Sequence, residues 1–161
     1  VRPLGFYLTL IVVILSDQFT KWSITQSMPV NTSRPVLGKL LSLTHTWNTG
    51  GAFSLFQARN GVFIVVAGIA ALALIVTYHK YQRNNLAISA ALALALGGAI
   101  GNLIDRVRFG HVIDFFDIHV WPVFNVADSA ITVGILILFW TSLFQPKPKP
   151  ALEPVAGNSE S

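Results

Sequence analysis

The chain has 161 residues, enough for one domain, yet only 11% of them are Asp, Glu, Lys or Arg, where roughly 25% is usual in soluble domains. With 53% hydrophobic residues and a mean hydropathy of +0.61, the composition excludes an ordinary soluble domain. A net charge of +4 would suit a nucleic-acid partner, but the basic residues stand singly between apolar blocks and form no stripe along phosphates; the lack of cysteine excludes disulfides, thiolate metal sites and a Cys nucleophile.

Four apolar blocks of 18 to 21 residues follow in order, Leu4–Trp22, Gly61–Tyr78, Leu86–Ile104 and Phe124–Phe144. About 20 residues at about 1.5 Å each cross a hydrocarbon core of about 30 Å, so the blocks predict an integral membrane protein with four transmembrane helices. Arg2 before the first block resembles the start of a secretion signal. The run continues through Asp17, Gln18 and Lys21 without a small-x-small cleavage site, which predicts a retained anchor helix.

Between the first two spans, Leu41–Trp47 alternates apolar or aromatic residues with Ser and Thr. That period of two predicts a short strand with one face on the membrane or the helices. The β-branched and aromatic stretch Val112–Trp121 can pair with it, giving a small extramembrane β-sheet at one end of the bundle. His79–Asn85 reads as a tight helix–helix turn. Gly97 and Gly101 have the four-residue spacing that lets helix backbones approach closely in lipid. Residues 1–144 thus form one transmembrane domain, and the proline-rich residues 145–161 read as a disordered tail.

Four spans put both termini on one side of the membrane. Arg2, Lys80, Arg83, Lys147 and Lys149 then lie on that side, and Lys21, Arg34, Lys39, Arg59, Arg106 and Arg108 on the other. Five against six leaves the orientation open under the positive-inside rule.

The same topology gathers the polar residues of the spans into one layer. Asp17 and Lys21 end the first span, Asn102, Asp105 and Arg106 end the third, and Asn125 and Asp128 open the fourth, just after Asp114. Asp17 and Lys21 are four apart with the acid first, as in a structural helical ion pair. Asn102, Asp105 and Arg106 share one helix face. Asp105 reads as structural and Asn102 and Arg106 as ligand-positioning, although Asp105 and Arg106 could exchange these roles.

His45, His79, His111 and His119 lack metal-ligand spacing, and no serine sits in a recognisable nucleophile frame. Asp114 and Asp128 remain. Both could be interfacial acids left in water. Asp128, however, falls in a first helical turn, where the helix dipole favours a carboxylate. Asp114 sits among Ile113, Phe115 and Phe116, where burial favours the protonated form. Surroundings that differ in this way suit an acid–base pair, while Asp117, three residues on, points elsewhere.

Together, Asp17-Gln-x-x-Lys21, Asn48-Thr-Gly50-Gly-Ala-Phe-Ser54, Gly97-Gly-Ala-x-Gly-Asn102-x-x-Asp105-Arg106, Val112-Ile-Asp114-Phe-Phe116 and Phe124-Asn-Val-Ala-Asp128-Ser129 resemble the ordered motifs of bacterial lipoprotein signal peptidase, the type II signal peptidase. The resemblance covers residues 4 to about 144; each motif alone is weak, and five in order are specific. Gly51 departs from the Ala frequent in the family. The resemblance implies four spans with a small sheet and a short interfacial helix.

It also implies an intramembrane aspartic endopeptidase of the bacterial inner membrane, with cytoplasmic termini and an active site near the outer leaflet. The implied substrates are prolipoproteins, cut before a diacylglyceryl-modified cysteine. Asp114 and Asp128 are then the catalytic pair, and Asn48, Asn102, Arg106 and Asn125 the substrate-binding positions; the place of Asp128 at a helix start makes it the more acidic of the two. No metal or organic cofactor is required, and the expected partners are substrate and membrane lipids around a monomer. A proton-coupled transporter would instead carry repeat symmetry and midplane polar groups, and a scaffold would tolerate loss of both acids.

Overall fold

The computed structural model describes residues 3–50, 60–81 and 85–144. In chain order these form helix α1 (Pro3–Ser27), strands β1 (Thr32–Leu37) and β2 (Leu41–Asn48), helices α2 (Asn60–Tyr81) and α3 (Leu86–Phe109), strand β3 (Val112–Asp117) and helix α4 (Val126–Phe144). All four helices are long and apolar enough to cross a membrane. The short interfacial helix implied by the resemblance is not among the described residues. Residues 145–161, read as a disordered tail, and most of the link after α2 lie outside them.

Helix α3 is the hub and packs against the other three. Its inner face is built from small residues and leucines, including Ala91, Leu92, Ala95, Leu96, Gly97, Gly98 and Gly101. A Cβ on Gly98 would run into the carbonyl oxygen of Ala127 in α4, and one on Gly101 would lie 2.6 Å from Asp17 Oδ2 in α1. Gly97, the other member of the predicted spacing, would set a Cβ 2.9 Å from Val13 and 3.2 Å from the Leu10 carbonyl oxygen, so Gly97 and Gly101 both face α1, while Gly98 lets α4 approach. The outer faces of α1, α2 and α4 leave Leu15, Ile69 and Phe139 exposed. A surface of that kind would aggregate in water and is the ordinary outer face of a bundle solvated by lipid.

The helix ends have local causes. Asn85 caps α3, its side chain accepting from Ile88 N–H, and Gly110 ends it at φ 80°, its N–H donating to the Arg106 carbonyl. That left-handed turn suits glycine. Helix α1 runs to Ser27 and α3 to Phe109, beyond the apolar blocks. Helix α4 starts at Val126, two residues later than its block, because Phe124 is held extended by paired backbone bonds with Phe116.

The sheet is antiparallel in the order β1-β2-β3. The expected pairing of residues 41–47 with the stretch from Val112 is present. The expected alternation along β2 is not kept, since Ser42 and His45 are its buried residues and Trp47 is exposed. The register shifts between Leu43 and Thr46, where β2 carries one residue more than β3. Such a bulge exchanges the faces on either side of it. Ile24 and Met28 at the end of α1 pack with Phe115, Phe116 and Leu43, which fastens the sheet to the bundle.

Candidate active site

The polar residues of the helix ends meet where β3 approaches the start of α4. Asn125 and Asp128 cap that helix reciprocally. Asp128 N–H donates to Asn125 Oδ1 at 2.9 Å, and Asn125 N–H donates to Asp128 Oδ2 at 3.3 Å. This is the geometry of a capping box, with Asp in the place usual for Glu. The next free N–H of the same turn, from Ala127, donates across to Asp17 Oδ1 at 2.9 Å.

Asn125 also reaches the other acid. Its Nδ2 donates to Asp114 Oδ1 at 2.6 Å, and Asn48 Nδ2 donates to Asp114 Oδ2 at 2.9 Å. Asp114 and Asp128 are therefore tied to opposite ends of one asparagine, while Asn102 Nδ2 donates to Asp128 Oδ1 at 2.7 Å. Asp114 is 1% exposed, and burial pushes its carboxyl up to about 6; the Asn48 hydrogen bond opposes that rise, the charge of Asp128 adds to it, and the Asn125 hydrogen bond opposes it. Asp117 lies on the opposite face of β3. There the His119 N–H and the Thr44 hydroxyl hold its carboxyl below the usual range.

The second polar cluster adjoins the first. Lys21 Nζ lies 2.8 Å from Asp17 Oδ2 and 2.7 Å from Asp105 Oδ2, all three side chains being buried. Lys21 also donates to Asn102 Oδ1 at 2.9 Å, so Asn102 joins the two clusters. Asp105 Oδ2 takes the Ile113 N–H at 3.3 Å, one residue before Asp114. The i, i+4 pair of the sequence is present, and a second acid from α3 completes it.

Among the described residues, the Arg106 side chain stands apart from the hydrogen-bonded set. Its guanidinium lies 5.2 Å from the Phe63 ring centroid, and the charges of Asp114 and Asp128 reach it across the site. Its backbone carbonyl takes a hydrogen bond from Asn60 Nδ2 at 2.9 Å. The Ser129 hydroxyl is spent on the Asn125 carbonyl. His45 Nδ1 bonds the Met28 carbonyl, His111 stacks on Trp47, and His119 sits beside Asp117.

Two contributors escaped the sequence reading. Gln18 Nε2 lies within 3.2 Å of Asp17, the Gly101 carbonyl and Asp105, and Asn60 ties α2 to α3. Position 18 beside Asp17 in the first motif was the available signal for Gln18; Asn60 had none.

A cavity of about 400 Å³ opens beside Asp128, lined by Trp121, Phe124, Ser129, Thr132 and Val133. Its walls are mostly apolar and its chemistry lies at one edge, which suits a lipid-bearing or extended apolar ligand. Chemically, the arrangement can offer one buried carboxyl in its protonated form beside another held by N–H donors.

A family model for signal peptidase (SPase) II matches residues 9–144. The chain is 41% identical over 149 residues to a lipoprotein signal peptidase of Moorella thermoacetica, covering 92% of this chain and 99% of that one. It is 46% identical over 132 residues to a lipoprotein signal peptidase of Geobacter sulfurreducens, covering 78% and 82%. Two solved chains, each described as a bacterial membrane enzyme structure obtained in meso, match at 32% identity with TM-scores of 0.81 and 0.83. They cover 86% and 88% of this chain and 87% and 94% of their own.

Proposed function

The chain belongs to the signal peptidase II family, and from that membership we infer that it removes signal peptides from lipid-modified prolipoproteins by aspartic chemistry. The cut falls immediately before the diacylglyceryl-cysteine. Asp114 and Asp128 are the catalytic pair. The observation that carries this assignment is Asn125, whose amide holds Asp114 while its backbone holds Asp128.

Two carboxyls so placed share one proton, because two adjacent negative charges in a buried site are costly. Asp114, the more deeply buried, keeps that proton. Asp128 accepts from Asn102 Nδ2 and the Asn125 N–H and acts as the carboxylate. It takes a proton from a water molecule as the water oxygen attacks the scissile carbonyl. The Asp114 hydroxyl hydrogen-bonds the oxygen that gains negative charge. Collapse of the tetrahedral intermediate breaks the C–N bond, and a carboxyl proton passes to the departing amine of the cysteine. Asn48 and Arg106 bind the substrate backbone. Asn102 and Asn125 orient the acids.

The protein is a multi-pass membrane protein; its place is the bacterial inner membrane, with both termini cytoplasmic and the site near the outer leaflet. Membrane lipids and prolipoproteins are its partners, and the monomer holds every residue the reaction needs. Purified protein in detergent should cut a lipidated precursor peptide, and peptide-like aspartic-protease inhibitors should block it. Asp114→Asn and Asp128→Asn should each be folded and inactive. Turnover by either variant near the unsubstituted rate would end the carboxylate-pair assignment.

A further inference from the structure

Resting on that carboxylate-pair reading, we propose that Lys21 is a positioning residue, fixing the side chain of Asn102 so that an N–H and not a carbonyl meets Asp128. An asparagine amide turned by 180° fills the same space with donor and acceptor exchanged, so only its neighbours decide which end faces where. Lys21 is 2% exposed and has donors alone. Its three protons go to Asp17 Oδ2, Asp105 Oδ2 and Asn102 Oδ1, at 2.8, 2.7 and 2.9 Å. The Asn102 oxygen takes a second bond from Asn125 Nδ2 at 3.1 Å. Its Nδ2 is left to face Asp128 Oδ1 at 2.7 Å. Turned over, the amide would set N–H against an ammonium and an oxygen against a carboxylate.

Asn125 alone holds this order weakly, because the two hydrogens of its Nδ2 are divided among Asp114 Oδ1 at 2.6 Å, Asn102 Oδ1 at 3.1 Å and the Ile113 carbonyl at 3.3 Å. Lys21 therefore starts a directed series of donors running from α1 through Asn102 to the acid on α4. The ammonium is registered to that turn, since Asp17 takes the Ala127 N–H as well as Lys21. The charged groups facing the series are Asp17 from α1, Asp105 and Arg106 from α3, Asp114 from β3 and Asp128 from α4.

A purely structural ion pair would affect the amount of folded protein; a positioning group changes turnover by what is folded. The test uses the full chain in detergent, a lipidated precursor peptide, and Tm beside kcat and KM. The triple variant Lys21→Met, Asp17→Asn, Asp105→Asn removes all three charges and leaves no ion buried alone. Its kcat should fall about 10²-fold, the loss that follows misplacement of a reacting group, with KM within about threefold. Lys21→Arg, which also has donors only, should keep kcat within about tenfold. A triple variant that folds and keeps kcat near the parent's, whatever its Tm, overturns the proposal.

If the triple variant does not fold, Lys21→Arg is compared with Lys21→Gln, which can present an oxygen to Asn102. Higher kcat for Arg supports the proposal and equal kcat overturns it. Asp128→Asn in the same assay isolates the underlying reading. Full turnover there removes the carboxylate pair, and with it this role for Lys21, whatever the Lys21 variants do.

Discussion

Replacing Asp114 with Asn separates what the fold wants at this position from what the reaction wants. Burial lifts the carboxyl from 3.8 to about 6. At about 1.4 kcal/mol per pKa unit, the ionised form costs the folded state about 3 kcal/mol above that pH. Because the folded pKa is raised, the cost is absent below pH 3.8, grows between 3.8 and about 6, and is constant above. Asparagine does not ionise and avoids it. It brings a different penalty. Asn125 must keep its N–H toward position 114, so the new amide presents its own NH₂ to Asn48 Nδ2. Two opposed donors cost about 1–3 kcal/mol unless Asn48 turns and gives up the Gly50 N–H. The two penalties nearly cancel, so at pH 8 Asp114→Asn should match the parent in stability within about 2 kcal/mol. At about pH 4 it should be the less stable of the two, the gap shifting by about 3 kcal/mol across the range. Cleavage of the lipidated peptide should meanwhile drop at least about 10³-fold. Thermal unfolding at both pH values beside the cleavage assay checks this. A stability gap that does not move with pH, or cleavage within tenfold of the parent, refutes the reasoning.

Asn48→Ala removes a donor that favours the ionised form of Asp114, so the alkaline limb of kcat/KM should move to higher pH; an unmoved or lowered limb contradicts this. Asn125→Ala loses the helix cap and the bonds from Nδ2 to Asp114, Asn102 and the Ile113 carbonyl. Unfolding measurements should register a loss of about 0.5–2 kcal/mol from the cap alone, and cleavage should cease. Gly98→Ala forces a methyl group against the Ala127 carbonyl, one residue before Asp128. Helix separation at that point should cost about 1–3 kcal/mol in Tm-derived stability and lower kcat with it, whereas the same change at Gly68, with open space around it, should do neither.

The spans were legible in the sequence because transfer into lipid is a local, additive property of a run of side chains. Their ends were less so. Whether α1 continues past its apolar block through Ile24 to Ser27 depends on Phe115 packing against Ile24 and Met28 from a distant part of the chain. The parity of β2 was read from side chains alone, and one extra backbone residue between Leu43 and Thr46 reversed it. Strand β1 went unread because Arg34 and Pro35 interrupt its pattern, and Pro35 is tolerated there since β1 is an edge strand. At the candidate site, helix-end placement gathered Asp114, Asp128, Asn102 and Asn125 into one layer, and the family resemblance gave them their expected roles and added Asn48. Which amide end faces which acid followed only from Lys21 and Asp105 arriving from separate helices.

The capping box at the start of α4 makes the carboxylate proposed to activate water and the first stitch of a membrane helix the same side chain. Fraying of that turn and loss of aim are then a single event, and thermal wear should reach chemistry before it reaches the rest of the bundle. Relocating the acid along α4 to shift the scissile bond would mean moving the place where the helix begins.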